Sequence, residues 1–188
     1  MSSALAVADR RPLDAYYTPD ALASALVGVL PIAPVARVLE PHAGGGAFVR
    51  ALVGRGVGRV LAADVDPCAP IFLDPPRTGV TLCPGCDFLG FAWNDIDWIV
   101  GNPPFRGLEA HVEHALTLAP NVAFLLRLAV MESKGRVPLW QTWPLRHVWV
   151  LAERPSFTDG GTDSAAYGFF WFQRGSTTPT ITPGWSWK

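Results

Sequence analysis

Apolar residues in this chain fall into short runs separated by turns bearing glycine and proline, and the runs alternate between two periods. Segments 36–39, 59–63, 97–100 and 121–126 are compact and rich in Val, Leu, Ile and Ala. Runs of that length read as strands, buried on both faces where the apolar stretch is continuous. Between them, 19–30, 47–53 and 108–118 have helical character, with Thr18 expected as the N-cap of the first and Pro19 at its first helical position. Segment 80–82 reads as a weak strand. Beyond 126 the pattern is less regular, with a short helix over 138–143, a strand over 147–151 and an aromatic strand over 168–172. Strands alternating with helices predict an α/β, Rossmann-like fold: an open, mostly parallel sheet with helices on both faces. The late hairpin-like pair predicts an antiparallel C-terminal edge strand. One domain spanning 1–188 is expected, with flexible ends at 1–12 and 183–188.

Composition narrows the class. Hydrophobic residues make up 49% of the 188 and charged residues 16%, which argues against disorder outside the ends. The net charge is −1, so no global field draws the chain onto a polyanion, and nucleic-acid contact has to come from a local cluster. Lys134 and Lys188 are the lysines among 15 basic residues, the rest being arginine, which suits bidentate phosphate contacts. The apolar stretch at 4–8 is too short for a signal peptide, and 122–131 is about half a membrane span and carries Arg127. A cytoplasmic protein without membrane association is expected. Cys83 and Cys86 have the spacing of half a zinc knuckle, but no fourth ligand lies at knuckle spacing, so reduced loop thiols and no metal are expected.

Candidate chemistry gathers at predicted strand ends. After the first strand comes Glu40-Pro41-His42-Ala43-Gly44-Gly45-Gly46-Ala47-Phe48. Its three glycines permit a sharp turn and close approach of backbone to a ligand, while Glu40 would repel a pyrophosphate and favour a cation. Asp64 ends the second strand, where a carboxylate can accept from both ribose hydroxyls of a nucleoside, with Asp66 as the alternative. Asp87-Phe88 pairs an acceptor for an adenine amine with a ring to cover the base. Asn102-Pro103-Pro104-Phe105 follows the strand at 97–100. There Asn102 offers a side-chain carbonyl, the rigid Pro103-Pro104 backbone aims the Pro103 carbonyl, and Phe105 gives a stacking face. Asp74-Pro75-Pro76-Arg77 is a partial copy without the aromatic and reads as a turn. His111 and His114, one turn apart, are expected as a surface pair. Trp140, Trp143, Trp149 and Trp171 are candidate stacking platforms, with core the favoured reading for the last two.

In this order the motifs resemble those of the class I S-adenosylmethionine-dependent methyltransferases. Within that group the chain is most similar to adenine-N6 DNA methyltransferases with the gamma motif order and to small phage-type orphan enzymes. The resemblance implies cofactor contacts from Tyr17, Thr18, Pro19, Glu40, Pro41, Ala43, Gly44, Gly46, Phe48, Asp64, Asp87 and Phe88. It assigns catalysis to Asn102 through Phe105, and weaker similarity over 154–157 and 167–172 makes Phe157 a candidate for holding a flipped base. Arg106 is a candidate phosphate contact. Family members tied to restriction carry a separate specificity domain, which is not expected here unless loops 133–136 or 158–164 substitute. The implied reaction is methyl transfer to an exocyclic amine, with adenine N6 in DNA first. The same chemistry on RNA or on a protein glutamine remains open, as does a catalytically silent binding module. The expected partner is nucleic acid, DNA before RNA, with a target-recognition subunit as a candidate second partner and the chain a monomer or small homo-oligomer.

Overall fold

The computed structural model describes residues 17–76, 78–157 and 164–187. Its strands are β1 (Arg37–Glu40), β2 (Arg59–Asp64), β3 (Val80–Pro84), β4 (Trp98–Gly101), β5 (Asn121–Arg127), β6 (Leu145–Leu151), β7 (Tyr167–Gln173) and β8 (Thr180–Trp185). The helices are α1 (Asp20–Gly28), α2 (Ala47–Gly54), α3 (Pro70–Leu73), α4 (Leu108–Leu118) and α5 (Val137–Thr142). All eight strands join one sheet in the order β3-β2-β1-β4-β5-β7-β6-β8. Strands β1 to β5 pair in parallel, β7 runs antiparallel between β5 and β6, and β8 lies parallel to β6. The antiparallel strand thus sits in the C-terminal part of the sheet, with β6 and β8 outside it.

Neighbouring residues on a strand point to opposite faces, and this alternation builds two cores. Val38, Val100, Leu125 and Phe169 face one side, where α1 and α2 cover them with Leu22, Leu26, Phe48 and Leu52. Their neighbours Leu39, Ile99, Phe124 and Phe170 face the other side, under Val112 and Ala115 of α4. Continuous apolar runs in the central strands follow from this double burial, at roughly 1.5–3 kcal/mol for each large side chain removed from water. Since β1 and β4 are neighbours, the strand order reverses between them. That reversal opens a crevice at the carboxyl ends of the strands, where open α/β sheets bind ligands. No described helix is long and apolar enough to cross a membrane.

Several expectations need correcting. Thr18 does not cap α1: Pro19 holds the cap position in an extended conformation and no side-chain cap bond forms. The tail expected from 183 onward begins inside a strand, since β8 pairs Val148 with Ile181 and Leu151 with Trp185. Pro183 and Gly184 hid that strand from pattern reading, but a proline is tolerated on an outer strand whose free edge needs no donor. Residues 1–12 and 188 lie outside the described residues. Cys83 and Cys86 are joined in a disulfide rather than held as reduced thiols, and Cys68 is free and exposed. The one-turn α3 was not foreseen within a proline-rich stretch; Pro70 begins it. Asp74 to Pro76 leave α3 as irregular chain with no preceding strand, as expected of a turn, and Arg77 lies outside the described residues.

Candidate active site

The glycine turn leaves β1 at the switch point and enters α2. Gly46 stands at the α2 N-cap with φ of 82°, a left-handed conformation, and a Cβ there would lie 3.1 Å from Ile71 Cγ1. Asp64, at the end of the adjacent β2, ties the turn down. Its Oδ2 accepts from Gly44 N–H at 2.8 Å and its Oδ1 from Asp66 N–H at 2.9 Å. Each oxygen keeps a second lone pair for an outside donor. Burial raises the Asp64 carboxyl above its ordinary range, against the lowering effect of those two N–H bonds. Asp66, the alternative acid, instead accepts from Cys68 N–H at 2.9 Å and closes its own turn. The Tyr17 ring lies against the turn, so that a Cβ on Gly44 would sit 3.1 Å from Tyr17 Cδ1.

Glu40 is the buried carboxyl of the site, with 1% of its surface exposed. Its Oε1 accepts from His42 N–H at 3.1 Å, and Oε2 has no hydrogen-bond partner among the described residues. Burial pushes this carboxyl well above the usual range, the His42 N–H bond opposes the shift, and the nearby Asp64 charge adds to it. The carboxylate rests directly on Gly101, the last residue of β4. A Cβ there would fall 2.8 Å from Glu40 Cδ. Gly101→Ala is therefore expected to destabilise the protein by about 1–3 kcal/mol, as other overpacked buried sites do. Chemical denaturation would measure this, and an unchanged midpoint would mean that Glu40 has room to swing aside.

Asn102 follows Gly101 at the mouth of the crevice, and its Nδ2 donates to Thr18 Oγ1 at 3.3 Å. One cleft is lined by Tyr17, Thr18, Glu40, His42, the turn from Ala43 to Phe48, and Asn102. It brings together seven of the twelve expected cofactor residues with the first catalytic residue. Pro103 is buried, Pro104 and Phe105 are half-buried, and Arg106 is exposed beside them. The Phe105 ring carries the Arg127 guanidinium 3.9 Å from its centroid and meets Tyr167 at 6.3 Å.

Most of the other expected site residues stand apart from this cleft. Phe88 is 2% exposed and packs in the core on the α4 side, with its ring 5.4 Å from His42 and 4.9 Å from His114. Asp87 is exposed, and its Oδ1 accepts from Leu89 N–H at 3.1 Å, so it closes a turn. Phe48 lines the cleft from the core side and stacks near Phe169. Phe157 is buried against Tyr167, ring to ring at 5.2 Å. Trp143 and Trp149 are core, and Trp171 packs on Trp98 at 5.6 Å. Trp140 is half-buried against Trp143 and Phe172. The 133–136 loop forms a 3-10 turn whose Arg136 Nε donates to Glu109 at 2.8 Å; residues 158–163 lie outside the described residues.

Sequence reading missed two features. His111 is not a surface residue: its Nδ1 lies 2.9 Å from His42 Nε2, linking α4 to the glycine turn, and His114 is likewise half-buried. Burial lowers both members of the linked pair, His42 well below the ordinary range, with each also lowered by a neighbouring histidine. Among the described residues no three metal-ligating side chains cluster. The second feature is the Arg127 and Tyr167 pair behind Phe105. No local motif announces either contact, because each joins residues far apart in the chain; His42, set between two motif residues, was the available signal for the first.

Comparison with known proteins places this geometry. A type II methyltransferase, M.TthHB8I of Thermus thermophilus, is 30% identical over 149 residues, covering 78% of this chain. The match covers 34% of that enzyme, so the chain spans about a third of the length of the relative it matches. No protein-family model matches the chain. The type I restriction-modification methyltransferase subunit of Streptococcus thermophilus superposes with a TM-score of 0.69 at 14% identity, covering 90% of this chain and 47% of that one. A candidate RNA methyltransferase of Pyrococcus horikoshii also gives 0.69, at 18% identity and with 87% and 90% of the two chains covered. The 23S rRNA methyltransferase ErmE gives 0.61 at 17% identity, covering 82% and 68%. This chain has the Rossmann-like methyltransferase fold and, in sequence, resembles the class I S-adenosylmethionine-dependent amino-methyltransferases, the DNA adenine enzymes among them.

Proposed function

We propose that this chain transfers a methyl group from S-adenosylmethionine to an exocyclic amine, and that the amine is N6 of adenine in DNA. The observation that carries this reading is the position of Asn102 at the mouth of the glycine-turn crevice, followed by two prolines and an aromatic ring. The crevice suits the cofactor chemically. Glu40 is a buried carboxylate with an oxygen free of protein donors, fit for the cationic amino group of the methionine portion. Asp64 retains lone pairs for ribose hydroxyls, and Tyr17 flanks the turn. Bound there, the cofactor would supply an electrophilic methyl group on its sulfonium.

The protein's own part is orientation. Asn102 Oδ1 and the Pro103 carbonyl accept the two hydrogens of the target amine, which turns the nitrogen lone pair out of conjugation with the ring. Phe105 stacks on the base. The amine proton is held at Asn102 Oδ1 or the Pro103 carbonyl and leaves after the C–N bond has formed, so no strong base is required. Catalysis comes from alignment and fixed dipoles. A base in duplex DNA must be flipped out of its stack to reach this mouth.

With a net charge of −1 the chain has no broad basic field for gripping DNA. Target recognition is therefore assigned to a partner subunit or to further chain, a reading supported by likeness to a type I methyltransferase subunit and by the one-third coverage of the type II relative. Nucleoside mass spectrometry on DNA and RNA from methylation-deficient cells expressing the chain tests the acceptor. N6-methyladenine in DNA that vanishes with Asn102→Ala is the expected result. A mark confined to RNA would move the acceptor to RNA. A blank in both, with S-adenosylmethionine still bound in calorimetry, would refute a nucleic-acid acceptor for the chain acting alone.

A further inference from the structure

The edge of the sheet opposite the Asn102 loop carries a second cavity. Strand β7 runs antiparallel, so its end meets the starts of β5 and β6, with Gln173 paired to Asn121 and Phe172 to Leu145. A cavity of about 300 Å³ opens there, lined by Arg146 of β6 and by residues 173–178. That volume lies at the lower end of the range for small-ligand pockets. Arg146 owes its position to an irregularity in the ladder: Leu145 pairs with Phe172 and His147 with Trp171, so β6 carries one extra residue there. A bulge of this kind redirects a side chain from the regular alternation. The other wall is fixed before any ligand arrives. Gln173 N–H donates to the Pro144 carbonyl at 2.9 Å, Arg174 N–H to Pro120 at 2.8 Å, and Ser176 Oγ to Leu145 at 2.9 Å. Gly175, with φ of 84°, turns the chain between them.

The lining is rich in donors, and no carboxylate stands among its described residues. Among the described residues, neither the Arg146 nor the Arg174 guanidinium makes an ion pair or a hydrogen bond; Arg146 lies over the Trp171 ring, 5.8 Å from its centroid. The Thr177 and Thr178 hydroxyls are likewise unengaged among the described residues. Two like charges set on one cavity repel each other, and an anion between them relieves that repulsion. We propose that this cavity binds a phosphate group, held between the Arg146 and Arg174 guanidiniums with the Thr177 and Thr178 hydroxyls as further donors. Guanidinium presents its N–H groups in a planar fork that can engage a pair of phosphate oxygens at once. A carboxylate has fewer acceptor oxygens and would leave part of this donor set unmet. The site is at the amino edge of the sheet, apart from the cleft at the carboxyl edge, and does not depend on the reaction proposed there. A nucleic-acid backbone and a small free phosphate compound would be held by the same groups.

Amide NMR of the full chain, titrated with pyrophosphate at low salt, tests the site without requiring methyl transfer. Saturable shifts are expected at Arg146 and across 173–178, with a Kd of about 1 mM or tighter. They should weaken as salt is raised. Arg146→Gln combined with Arg174→Gln is expected to weaken binding at least about tenfold, the scale of lost charge-assisted hydrogen bonds. Both side chains are exposed, so amides elsewhere should keep their resonances and report an intact fold. A short single-stranded oligonucleotide supplies the second arm. If it shifts the same amides and competes with pyrophosphate, the phosphate is that of a nucleic-acid backbone. If pyrophosphate alone binds, the ligand is a free phosphate compound; either result supports the site. Three results overturn it: no saturable shift at these amides, a double variant that binds within about twofold of wild type, or an equal response to acetate.

Discussion

Asn102→Ala is expected to lower methyl transfer by at least about a hundredfold, the scale on which removing one fixed dipole from an active site acts. S-adenosylmethionine affinity should change little, because Glu40 and Asp64 lie on other strands and keep their bonds to His42 and Gly44. Stability should fall by no more than about 1 kcal/mol, since Asn102 is half-buried at a loop mouth and its bond to Thr18 Oγ1 is long, at 3.3 Å. That bond matters for direction: with Nδ2 turned to Thr18 Oγ1, the amide is held in the orientation in which the proposed reaction uses Oδ1 as the acceptor. Thr18→Val should therefore cost activity as well, by about threefold to tenfold, the worth of one hydrogen bond. Single-turnover rates with calorimetry alongside separate the two effects. Full activity in Asn102→Ala would remove the amine-methylation reading, which gives that carbonyl the amine to hold.

The second large effect has opposite signs in stability and in function. Glu40→Gln is expected to leave the free protein more stable than wild type at high pH, while weakening S-adenosylmethionine binding by about tenfold to a hundredfold, the range for a hydrogen bond to a charged group. Burial raises the folded-state pKa of Glu40 above its unfolded value. As pH climbs from the unfolded to the folded value, the unfolded chain has already lost its proton while the native state still holds one. Unfolding stability therefore falls with rising pH through that window. Glutamine cannot titrate, so the Gln variant lacks this decline and the gap between the two proteins widens as pH rises. Melting temperatures across a pH series measure it. Parallel curves for wild type and variant would mean that Glu40 is not carrying a desolvated charge. Unchanged cofactor affinity would mean that the free Oε2 faces no cationic ligand. A site residue that costs stability in order to hold an unsatisfied charge is the usual signature of binding chemistry.

Much of the sheet was legible because its signals are local. The runs at β1, β2, β4 and β5 are buried on both faces, so their apolar continuity survives in the sequence, and α4 was placed at its observed bounds, Leu108–Leu118. The positions of the glycine turn, Asp64 at the end of β2, and Asn102 just beyond β4 were readable because turn residues and polar side chains mark where these strands end. What failed was any feature whose reason lies elsewhere in the fold. Strand β8 has a weak pattern, broken at Pro183 and Gly184, and forms because β6 offers it an edge. His111 looked like a surface residue on its helix until α4 packed over the glycine turn and set it 2.9 Å from His42. Phe88 kept its expected place in the chain, yet its ring went into the core rather than toward the cleft. The disulfide joins Cys83 on the edge strand β3 to buried Cys86, where spacing alone had left reduced thiols as the expectation.

The sequence by itself determined the doubly buried central strands, the helices that alternate with them, and the chemical types at their strand ends, because period, turn residues and side-chain chemistry are properties of a few adjacent residues. The tertiary structure alone decided the partners. It set Glu40 on Gly101, turned the Asn102 amide toward Thr18, tied His42 to His111, and laid Arg127 over Phe105 with Tyr167 holding it. Each of those contacts joins separate elements, from 22 positions apart for Arg127 and Phe105 to 84 for Asn102 and Thr18. Strand order and the antiparallel turn of β7 bring them together, and neither is encoded in any short window of the chain.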